Sequence, residues 1–193
     1  GKAFRQINIH GGDSLHAAGF TGKGMHVAVI DAGFYNADKI KSFKKVDLLG
    51  TRDFVNPESD IYAENSHGMK VLSCMASQTK NAFVGTAPEA SYWLLRSEDA
   101  DTEQPVEEDY WAAAIEFADS VGVDVINTSL GYYEFDKGYG GYRYRDLDGH
   151  TSLMSHSASM AADKGIVVVC SAGNSGNDAW KKVTPPGDAE HVL

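Results

Sequence analysis

The sequence predicts an α/β fold with three layers, in which a mainly parallel sheet is flanked by helices. Short apolar segments alternate along the chain with longer segments that have the period of an amphipathic helix. Parallel strands need a long crossover between them, and a helix usually provides it. A length of 193 residues, 42% of them hydrophobic, suits one domain with a substantial core, so we expect a single unit over residues 1–193.

Four short apolar segments are predicted to be strands of this sheet. Each is bounded by glycine or by polar residues, as buried strands usually are. They comprise residues 25–30, 92–96, 124–130 and 165–172.

Three segments with helical periodicity are predicted to cover the sheet, at residues 66–78, 106–122 and 152–165. The first helix places on one face Gly68, Leu72, Met75, Ala76 and Thr79. The second places on one face Val106, Tyr110, Ala114, Phe117 and Val121. The third places on one face Leu153, Ser157, Met160 and Lys164, with Gly165 as its C-cap.

The charge balance and the apolar runs exclude several classes of protein. With 17 basic and 27 acidic residues the formal charge is −10, so we predict no nucleic-acid partner. The apolar runs are shorter than the ~18 residues of a membrane span, and the first ten residues lack a signal-peptide core. Two cysteines, Cys74 and Cys170, are too few for a disulfide framework and are predicted to be buried free thiols.

Asp31 and His67 are the first candidate functional residues. Asp31 directly follows a predicted strand, and a buried carboxylate without a partner is costly, although such an aspartate often only caps a turn. His67 begins a predicted helix beside Gly68, whose missing side chain lets this turn approach another backbone. Alone, a histidine there is more often structural, but an acid that orients a histidine is the base half of nucleophilic catalysis. We expect the two side chains to lie about 2.6–3.5 Å apart.

Five segments, in this order, resemble motifs of the subtilisin-like serine protease family. They are VAVIDAG, HGMKVLSCMAS, VGTAPEASYWLLRSED, DVINTSLGYY and VVVCSAGNSG. The match extends over nearly the whole chain and implies the subtilisin-like arrangement of sheet and helices. It also implies a serine endopeptidase that cleaves protein or peptide substrates and requires no cofactor.

The resemblance assigns a role to each matching residue. Asp31 is implied to be the catalytic acid, His67 the general base and Asn174 the side-chain donor to the oxyanion. The substrate backbone is implied to pair with Ser129, Leu130 and Gly131. One wall of the specificity pocket is implied to consist of Ala172 and Gly173.

The sequence departs from the family pattern at three points. Ala32 replaces the usual Ser or Thr after the acid, and Met69 replaces the usual Thr after His-Gly. The serine motif G-T-S-M-A is expected beyond Leu193, so we expect the fold to be incomplete at its C-terminal end and this chain to be inactive alone. The segment 157–161, SASMA, offers Ser159 as a substitute with His156 and Asp163 on one helix face. We reject it, because mid-helix N–H groups are already bonded and cannot form an oxyanion hole, and we expect that face to meet water.

Two further segments have both a purely structural and a functional interpretation. Residues 98–109 include seven acids, which are either solvated or near the substrate and selective for Lys or Arg. Residues 132–150 are predicted to be an ordered surface insertion whose aromatic side chains pack or dock a peptide. Many relatives bind structural calcium, and candidate ligands are Asp136, Asp146 and Asp148. Because their spacing is irregular, no metal site is assigned.

Three hypotheses on function follow. The first is the N-terminal part of a secreted or cell-surface subtilisin-like endopeptidase, completed by a C-terminal chain or by self-association at an unfinished sheet edge. The second is a protease-like scaffold without catalytic activity that presents an acidic groove to peptides. The third is a domain that binds a small molecule, in which Asp31 and His67 coincide by chance; a hydrogen bond between them excludes it.

Overall fold

A five-stranded parallel sheet forms the centre of this computed structural model, which describes residues 4–79 and 81–193. In chain order its strands are β1 (His26–Asp31), β2 (Asp47–Asp53), β5 (Ser91–Arg96), β6 (Val125–Thr128) and β7 (Val167–Cys170). Their spatial order is β2-β5-β1-β6-β7, and every pairing is parallel. The predicted α/β architecture with a mainly parallel sheet is therefore confirmed.

Three long helices cover the sheet close to their predicted positions. They are α3 (His67–Ala76), α4 (Val106–Ser120) and α5 (Leu153–Asp163). Four short elements were not predicted: α1 (Phe4–Asn8), α2 (Gly12–Ala17) and a small antiparallel pair of β3 (Gln78–Thr79) and β4 (Phe83–Val84). Each is only two to six residues long, too short for a periodicity to be recognised.

The strand β2 is the one strand of the main sheet that the sequence analysis missed. It is an edge strand whose residues are mostly exposed, so it lacks the apolar run of a buried strand. Its pairing with β5 shifts register between Leu48 and Gly50. At Gly50 a Cβ atom would lie 2.4 Å from the ring of Trp93, so glycine is needed for this close approach.

Two hydrophobic cores lie on the two faces of the sheet. One contains side chains of α4 and α5 packed on β1, β5 and β6, with Trp111 and Met154 fully buried. The other packs α3 and the segment after β1 on the opposite face, with Phe34 and Leu72 at its centre. Burial on both faces explains why the central strands are continuously apolar.

The predicted face of α3 is confirmed for Gly68, Leu72 and Ala76, which are buried. The predicted face of α4 is confirmed at Ala114, and Phe117 and Val121 pack against the same core. Val106, however, is 40% exposed, and the buried residues also include Trp111, Ile115 and Ala118, so the buried face is rotated from the predicted one. Trp111 sets this rotation, because its ring fills the core while its indole N–H donates to the Thr128 hydroxyl at 2.9 Å.

The predicted face of α5 is wrong. Leu153 and Met160 are 41% and 53% exposed, whereas Met154 and Ala158 are buried together with Ser155 and Ser159. The two serines are buried without penalty because their hydroxyls are hydrogen-bonded, Ser155 to Asp188 at 2.6 Å. Small polar residues thus occupy core positions that a hydrophobic pattern cannot identify.

Cys74 and Cys170 are both free thiols, as predicted, but the predicted burial is wrong for Cys74, which is exposed on α3. Cys170 is half-buried, and this burial raises the pKa of its thiol to about 12. None of the helices in the described part of the chain combines the length and apolar character needed to cross a membrane.

The carboxyl ends of the parallel strands meet at one edge of the sheet and carry the predicted site. Asp31 ends β1 and Arg96 ends β5, next to each other in register. The segment 129–131 follows β6, and the segment 171–174 follows β7. This is the edge at which parallel sheets usually place functional groups.

Candidate active site

Asp31 and His67 form a hydrogen-bonded pair. Asp31 is fully buried, and its Oδ1 lies 2.7 Å from Nδ1 of His67, within the distance predicted from the sequence. The same oxygen accepts the backbone N–H of Ala32 at 2.8 Å, so Asp31 also stabilises its own turn. With the Nδ1 proton held by the carboxylate, the other ring nitrogen of a neutral imidazole is free to accept a proton. The hypothesis of a chance coincidence is thereby excluded.

Gly68 and Asn65 explain how α3 brings His67 to Asp31. At Gly68 a Cβ atom would lie 2.5 Å from the carbonyl oxygen of Gly33 and 2.8 Å from Cβ of Asp31. Only glycine permits this approach of the helix to the end of β1. The Asn65 side chain accepts the backbone N–H of His67 at 2.8 Å and so satisfies one of the free donors of the helix start.

The His67 ring is half exposed, and its pKa is raised from the ordinary value. The largest cause is the hydrogen bond to Asp31, which favours the charged ring. Partial burial acts in the opposite direction, and the negative charges of Asp31 and Glu98 support the rise. This environment stabilises an imidazolium at a position that solvent or substrate can reach.

Arg96 is a functional candidate that the sequence analysis missed. Its side chain is 6% exposed, and its Nε donates to the carbonyl oxygen of Ala32 at 3.0 Å. One guanidinium nitrogen lies 3.0 Å from Asp53, and the other lies 3.4 Å from Glu64. The available signal was a charged residue at the end of a buried apolar strand, because burying a charge is costly without partners.

Asp53 is the buried carboxylate that pairs with Arg96. Although burial raises its pKa, hydrogen bonds from the Ser59 hydroxyl, the Asn56 backbone N–H and Arg96 lower that pKa overall. The carboxylate is thus held in its charged form beside the guanidinium.

A cleft of about 280 Å³ lies between the segment after β6 and the segment after β7. It brings together six of the eight predicted site residues, namely His67, Ser129, Leu130, Gly131, Gly173 and Asn174. The predicted wall residue Ala172 is exposed and is not part of this lining. Asp31 lies behind His67 rather than in the cleft, as its full burial requires.

Asn174 lies at the rim of the cleft, directly before a 3-10 turn at Ser175–Asn177. The residue is exposed, and its side chain makes no capping hydrogen bond to that turn. Its amide group is therefore available to a bound molecule.

Thr184 fills the space between the two backbone segments of the cleft and was not identified from the sequence. A Cβ atom at Gly131 would lie 2.2 Å from its hydroxyl oxygen, and one at Gly173 would lie 2.7 Å from it. Thr184 is 3% exposed, and within the described residues its hydroxyl has no hydrogen-bond partner. Both glycines are therefore required by the packing of this threonine.

Part of the acidic segment 98–109 faces the cleft. Glu98 and Glu103 line it, and burial is the main reason that the pKa of each rises to about 7. Neighbouring carboxylates add to both rises, and Glu98 also accepts the Tyr132 hydroxyl at 3.3 Å.

The interpretation of the acidic segment as simply solvated is wrong for Glu107 and Glu108. Glu107 is 1% exposed and accepts the backbone N–H groups of Asp99 and Gln104 at 2.9 and 2.7 Å. Glu108 is 6% exposed and accepts the hydroxyl of Ser152 at 2.8 Å. Both carboxylates fasten loops around the start of α4.

The insertion at 132–150 is ordered by aromatic packing. Tyr132 is 2% exposed and stacks on Phe135, with ring centroids 6.1 Å apart. Tyr133 stacks on Trp180 at 4.5 Å, and the Tyr142 hydroxyl donates to Glu108 at 2.6 Å. Packing is therefore confirmed for these side chains, whereas Tyr139 and Tyr144 are 57% and 51% exposed, and peptide docking stays a prediction.

The alternative triad on α5 is not assembled. Ser159 is 5% exposed, so the expectation that it faces water was wrong. Its hydroxyl donates to the carbonyl oxygen of Ser155 and accepts the backbone N–H of Glu190, both at 2.9 Å. Asp163 instead pairs with His191 at 2.9 Å. Ser159 is thus a buried structural residue with its hydrogen bonds already made.

The three candidate calcium ligands each hydrogen-bond to backbone near them in the fold. Asp136, Asp146 and Asp148 each bind nearby backbone N–H groups, of Glu103, Arg143 and His150 respectively. Within residues 4–79 and 81–193 no three His, Cys, Asp or Glu side chains converge as a metal ion requires.

Comparison with known proteins gives one family. The sequence model described as the subtilase family matches residues 22–193. The thermophilic serine proteinase of Bacillus sp. (strain AK1) is 31% identical over 176 residues, covering 88% of this chain and 37% of the relative. Subtilisin E of Bacillus subtilis (strain 168) is 31% identical over 166 residues, covering 85% of this chain and 38% of the relative. The chain thus spans less than two fifths of the length of these relatives.

Solved structures with the same fold include two protease domains. The prenylagaramide maturation protease PagA superposes with a TM-score of 0.66 and 20% identity, covering 95% of this chain and 57% of that one. MycP1 without its N-terminal propeptide superposes with a TM-score of 0.66 and 24% identity, covering 94% of this chain and 61% of that one. The architecture of helices around a parallel sheet is therefore shared with these proteins.

Proposed function

This chain belongs to the subtilase family, and we propose that it carries the acid–base and oxyanion-binding parts of a subtilisin-type serine endopeptidase. The observation that carries the proposal is the 2.7 Å hydrogen bond between buried Asp31 and half-exposed His67. A charged carboxylate behind an accessible imidazole is the arrangement that activates a hydroxyl nucleophile.

In the proposed reaction, Asp31 and His67 move the proton. Asp31 holds the His67 tautomer whose Nδ1 carries hydrogen and stabilises the imidazolium that forms later. His67 takes the proton from the attacking serine and returns it to the leaving amine. The raised pKa of His67 supports this role, because its charged form is favoured in place. This chemistry uses only protein groups and requires no cofactor.

The proposed binding surface is the cleft on the other side of His67. Asn174 would donate its amide N–H to the developing oxyanion, a contact whose loss costs about 3–4 kcal/mol in a subtilisin. Ser129, Leu130 and Gly131 would pair with the backbone of an extended peptide as an added strand. Gly173 would form part of one wall of the specificity pocket, with Thr184 behind it, whereas Ala172 lies outside the cleft lining.

We propose that the nucleophilic serine belongs to polypeptide encoded after residue 193 and that this chain is inactive alone. In the part of the chain that the structure describes, the His67 ring makes a single hydrogen bond, the one to Asp31. Ser159 is buried, with its hydroxyl already bonded to neighbouring backbone groups.

A serine-directed fluorophosphonate probe tests this assignment. We expect no mass increase of the chain alone and stoichiometric labelling of the added downstream polypeptide once the two are combined. His67→Gln should abolish that labelling, whereas Ser159→Ala should leave it unchanged. Labelling of the chain alone that disappears in Ser159→Ala would show that the nucleophile is Ser159.

The second candidate function is a peptide-binding module without catalytic activity. The carboxylates of Glu98 and Glu103 in the cleft favour it, because they can bind a peptide without any nucleophile. Peptide binding without labelling in the reconstituted protein, measured by isothermal titration calorimetry and by the probe, would support this alternative.

We further propose that the intact enzyme prefers Lys or Arg shortly before the scissile bond. Glu98 and Glu103 line the same cleft as His67, and opposite charge selects a substrate side chain. Profiling a peptide library should show this preference, and Glu98→Gln with Glu103→Gln should reduce it. Exposed Asp109, in the same acidic segment but outside the cleft lining, provides the control Asp109→Asn. Equal turnover of acidic and basic peptides would refute the preference.

The proposed partners are the peptide substrate and either a complementary C-terminal chain or a second copy of this chain. Strand β7 is at the edge of the sheet, where, among the described residues, Leu193 alone pairs with it, through its backbone bonds to Val168 and Cys170. Size-exclusion chromatography with and without the downstream polypeptide tests this pairing. From the family resemblance we expect the protein to be secreted or at the cell surface, which fractionation of the producing cells tests.

A further inference from the structure

We propose that Arg96 is a positioning residue that holds the segments carrying Asp31 and His67 in their relative places. The proposal rests on the proposed role of these two residues as an acid–base pair. Arg96 contacts neither a substrate nor the His67 ring; it acts through backbone and carboxylate groups next to the pair.

The first contact fixes the end of β1. Arg96 is the register neighbour of Asp31 on β5, and its Nε donates to the carbonyl oxygen of Ala32, the next residue, at 3.0 Å. The backbone N–H of Ser97 also donates to the carbonyl oxygen of Asp31 at 3.1 Å. The peptide unit that follows Asp31 is therefore held from β5, and this limits where the carboxylate can lie.

The second contact reaches the segment before His67. A terminal nitrogen of Arg96 lies 3.4 Å from the carboxylate of Glu64. The next residue, Asn65, accepts the backbone N–H of His67 and supplies the backbone that closely contacts Gly33. One guanidinium group thus links the strand end that carries the acid to the turn that carries the base.

The third contact supplies the counter-charge that allows this cation to be buried. Asp53, at the end of β2, lies 3.0 Å from Arg96 and has a side chain only 4% exposed. An arginine fork makes these three contacts in different directions at once, which the single ammonium group of lysine cannot do. Removing Arg96 alone would leave Asp53 as an unpaired buried charge, so the test needs a variant that removes both.

Arg96 could act on His67 as a nearby positive charge or as a positioning residue, and the two roles predict opposite changes in the pKa of His67 when Arg96 is replaced. If Arg96 acted only as a nearby cation, its loss would raise the pKa of His67, because a positive neighbour disfavours the charged ring. If Arg96 holds Asp31 and His67 together, its loss weakens their hydrogen bond, which is the largest cause of the raised pKa. The pKa of His67 then falls.

The test is an NMR titration of the His67 ring in the whole isotope-labelled chain, with His67→Gln used for assignment. Arg96→Lys keeps the charge and loses the fork, and Arg96→Met with Asp53→Asn removes both buried charges. We expect both to lower the pH midpoint of His67 to a value between wild type and Asp31→Asn and to reduce the population of the Nδ1–H tautomer. The control is Arg52→Lys, because Arg52 is an exposed residue of β2 next to Asp53. It should leave the pH midpoint and the tautomer population of His67 unchanged.

Urea unfolding of each variant shows whether it is folded. If the double variant does not fold, the His67 titration of Arg96→Lys alone tests the positioning role. Folded Arg96 variants with the wild-type His67 midpoint, or with a raised one, would overturn the positioning role and leave the proposed function untouched. If Asp31→Asn also leaves the midpoint unchanged, the acid–base pair itself is wrong, and the proposed function and this inference fail together.

Discussion

The two sides of the cleft are built in different ways. On the acid–base side, buried Asp31 is bonded to His67, Gly68 packs directly on it, and Arg96 ties its backbone to two neighbouring segments. On the other side, Gly131 and Asn174 are exposed, and the side chain of Asn174 caps nothing. Side-chain contacts within the fold therefore fix the proton-transfer groups, whereas open backbone presents the binding groups.

This difference teaches how much of such a site exists before a substrate is bound. The acid–base pair needs no bound molecule to reach its geometry, because its partners are other residues of the chain. The binding side has exposed polar groups that are free to exchange bonds with solvent for bonds with a ligand. Substitutions on the acid–base side should therefore change stability and the titration of His67 together, whereas those on the binding side should leave His67 unchanged.

The largest expected effect is that of Gly68→Ala. The new Cβ atom would meet the carbonyl oxygen of Gly33 at 2.5 Å, and this backbone atom cannot move without shifting the end of β1. The clash outweighs the ~1 kcal/mol by which alanine favours a helix, and we expect a net loss of about 2 kcal/mol in the free energy of unfolding. Urea denaturation measures it, and an NMR titration should show a lowered pKa of His67.

Gly176→Ala is the matched control for that substitution. Gly176 lies in the 3-10 turn on the binding side, and a Cβ atom there meets nothing within 4 Å. We expect its effect on stability to be within about 0.5 kcal/mol. Equal stability of the two alanine variants would contradict the close packing of α3 on β1.

On the binding side, Gly131→Ala should cost about 1–2 kcal/mol of stability, because its Cβ atom would lie 2.2 Å from the hydroxyl oxygen of Thr184. Thr184→Ala removes that atom, so the double variant should regain part of the loss. A double-mutant cycle by urea denaturation should give a coupling energy of at least about 0.5 kcal/mol. Additive effects would show that the two residues do not press on each other, and the pKa of His67 should stay the same in all three variants.

A smaller effect is expected in the pH dependence of stability, through Glu98, which lies between the two sides. Its pKa is about 7 in the folded chain and near 4.5 when unfolded, because burial and the charges of Asp31 and Glu107 disfavour its carboxylate. The stabilisation is therefore fully present below about pH 4.5 and is lost as the pH rises through about 7. Since solvent screens part of the effect, we expect about 1 kcal/mol between these limits.

In Glu98→Gln the free energy of unfolding should decrease less between pH 5 and 8 than in the wild type, as measured by urea unfolding at each pH. His67 acts in the same direction: its raised pKa gives stability below about 6.5 that is lost as the pH rises through the folded value. The remaining slope should therefore become smaller in Glu98→Gln with His67→Gln, and the part that is left comes from groups such as Glu103, whose pKa is also raised to about 7. Exposed Glu116 on α4 gives the control Glu116→Gln, which should keep the whole slope. A wild-type slope in Glu98→Gln would contradict the raised pKa.

The contrast between the two sides also explains which residues of the site could be predicted from the sequence. Asp31 follows a predicted strand and His67 begins a predicted helix beside Gly68, so local pattern marked both as candidates, and the family resemblance assigned their roles. Arg96 and Thr184 were not recognised, because their importance lies in contacts with residues distant in the sequence. The buried face of α5 and part of that of α4 were missed because they contain polar residues such as Ser159 and Glu107, and only the hydrogen bonds of these residues allow their burial.

The smallest expected effect is that of Ala32→Ser, which tests whether the acid–base side still has room for a further bond. In the described part of the chain, Oδ2 of Asp31 is a buried acceptor with no partner, although Oδ1 has two. A hydroxyl at position 32 would offer this oxygen a donor. We expect a gain of up to about 1 kcal/mol in the free energy of unfolding, measured by urea denaturation. Ala32→Cys adds a side chain of similar shape with a much weaker donor, so it should gain less; an equal gain would show that added packing, not a bond to Asp31, is the cause.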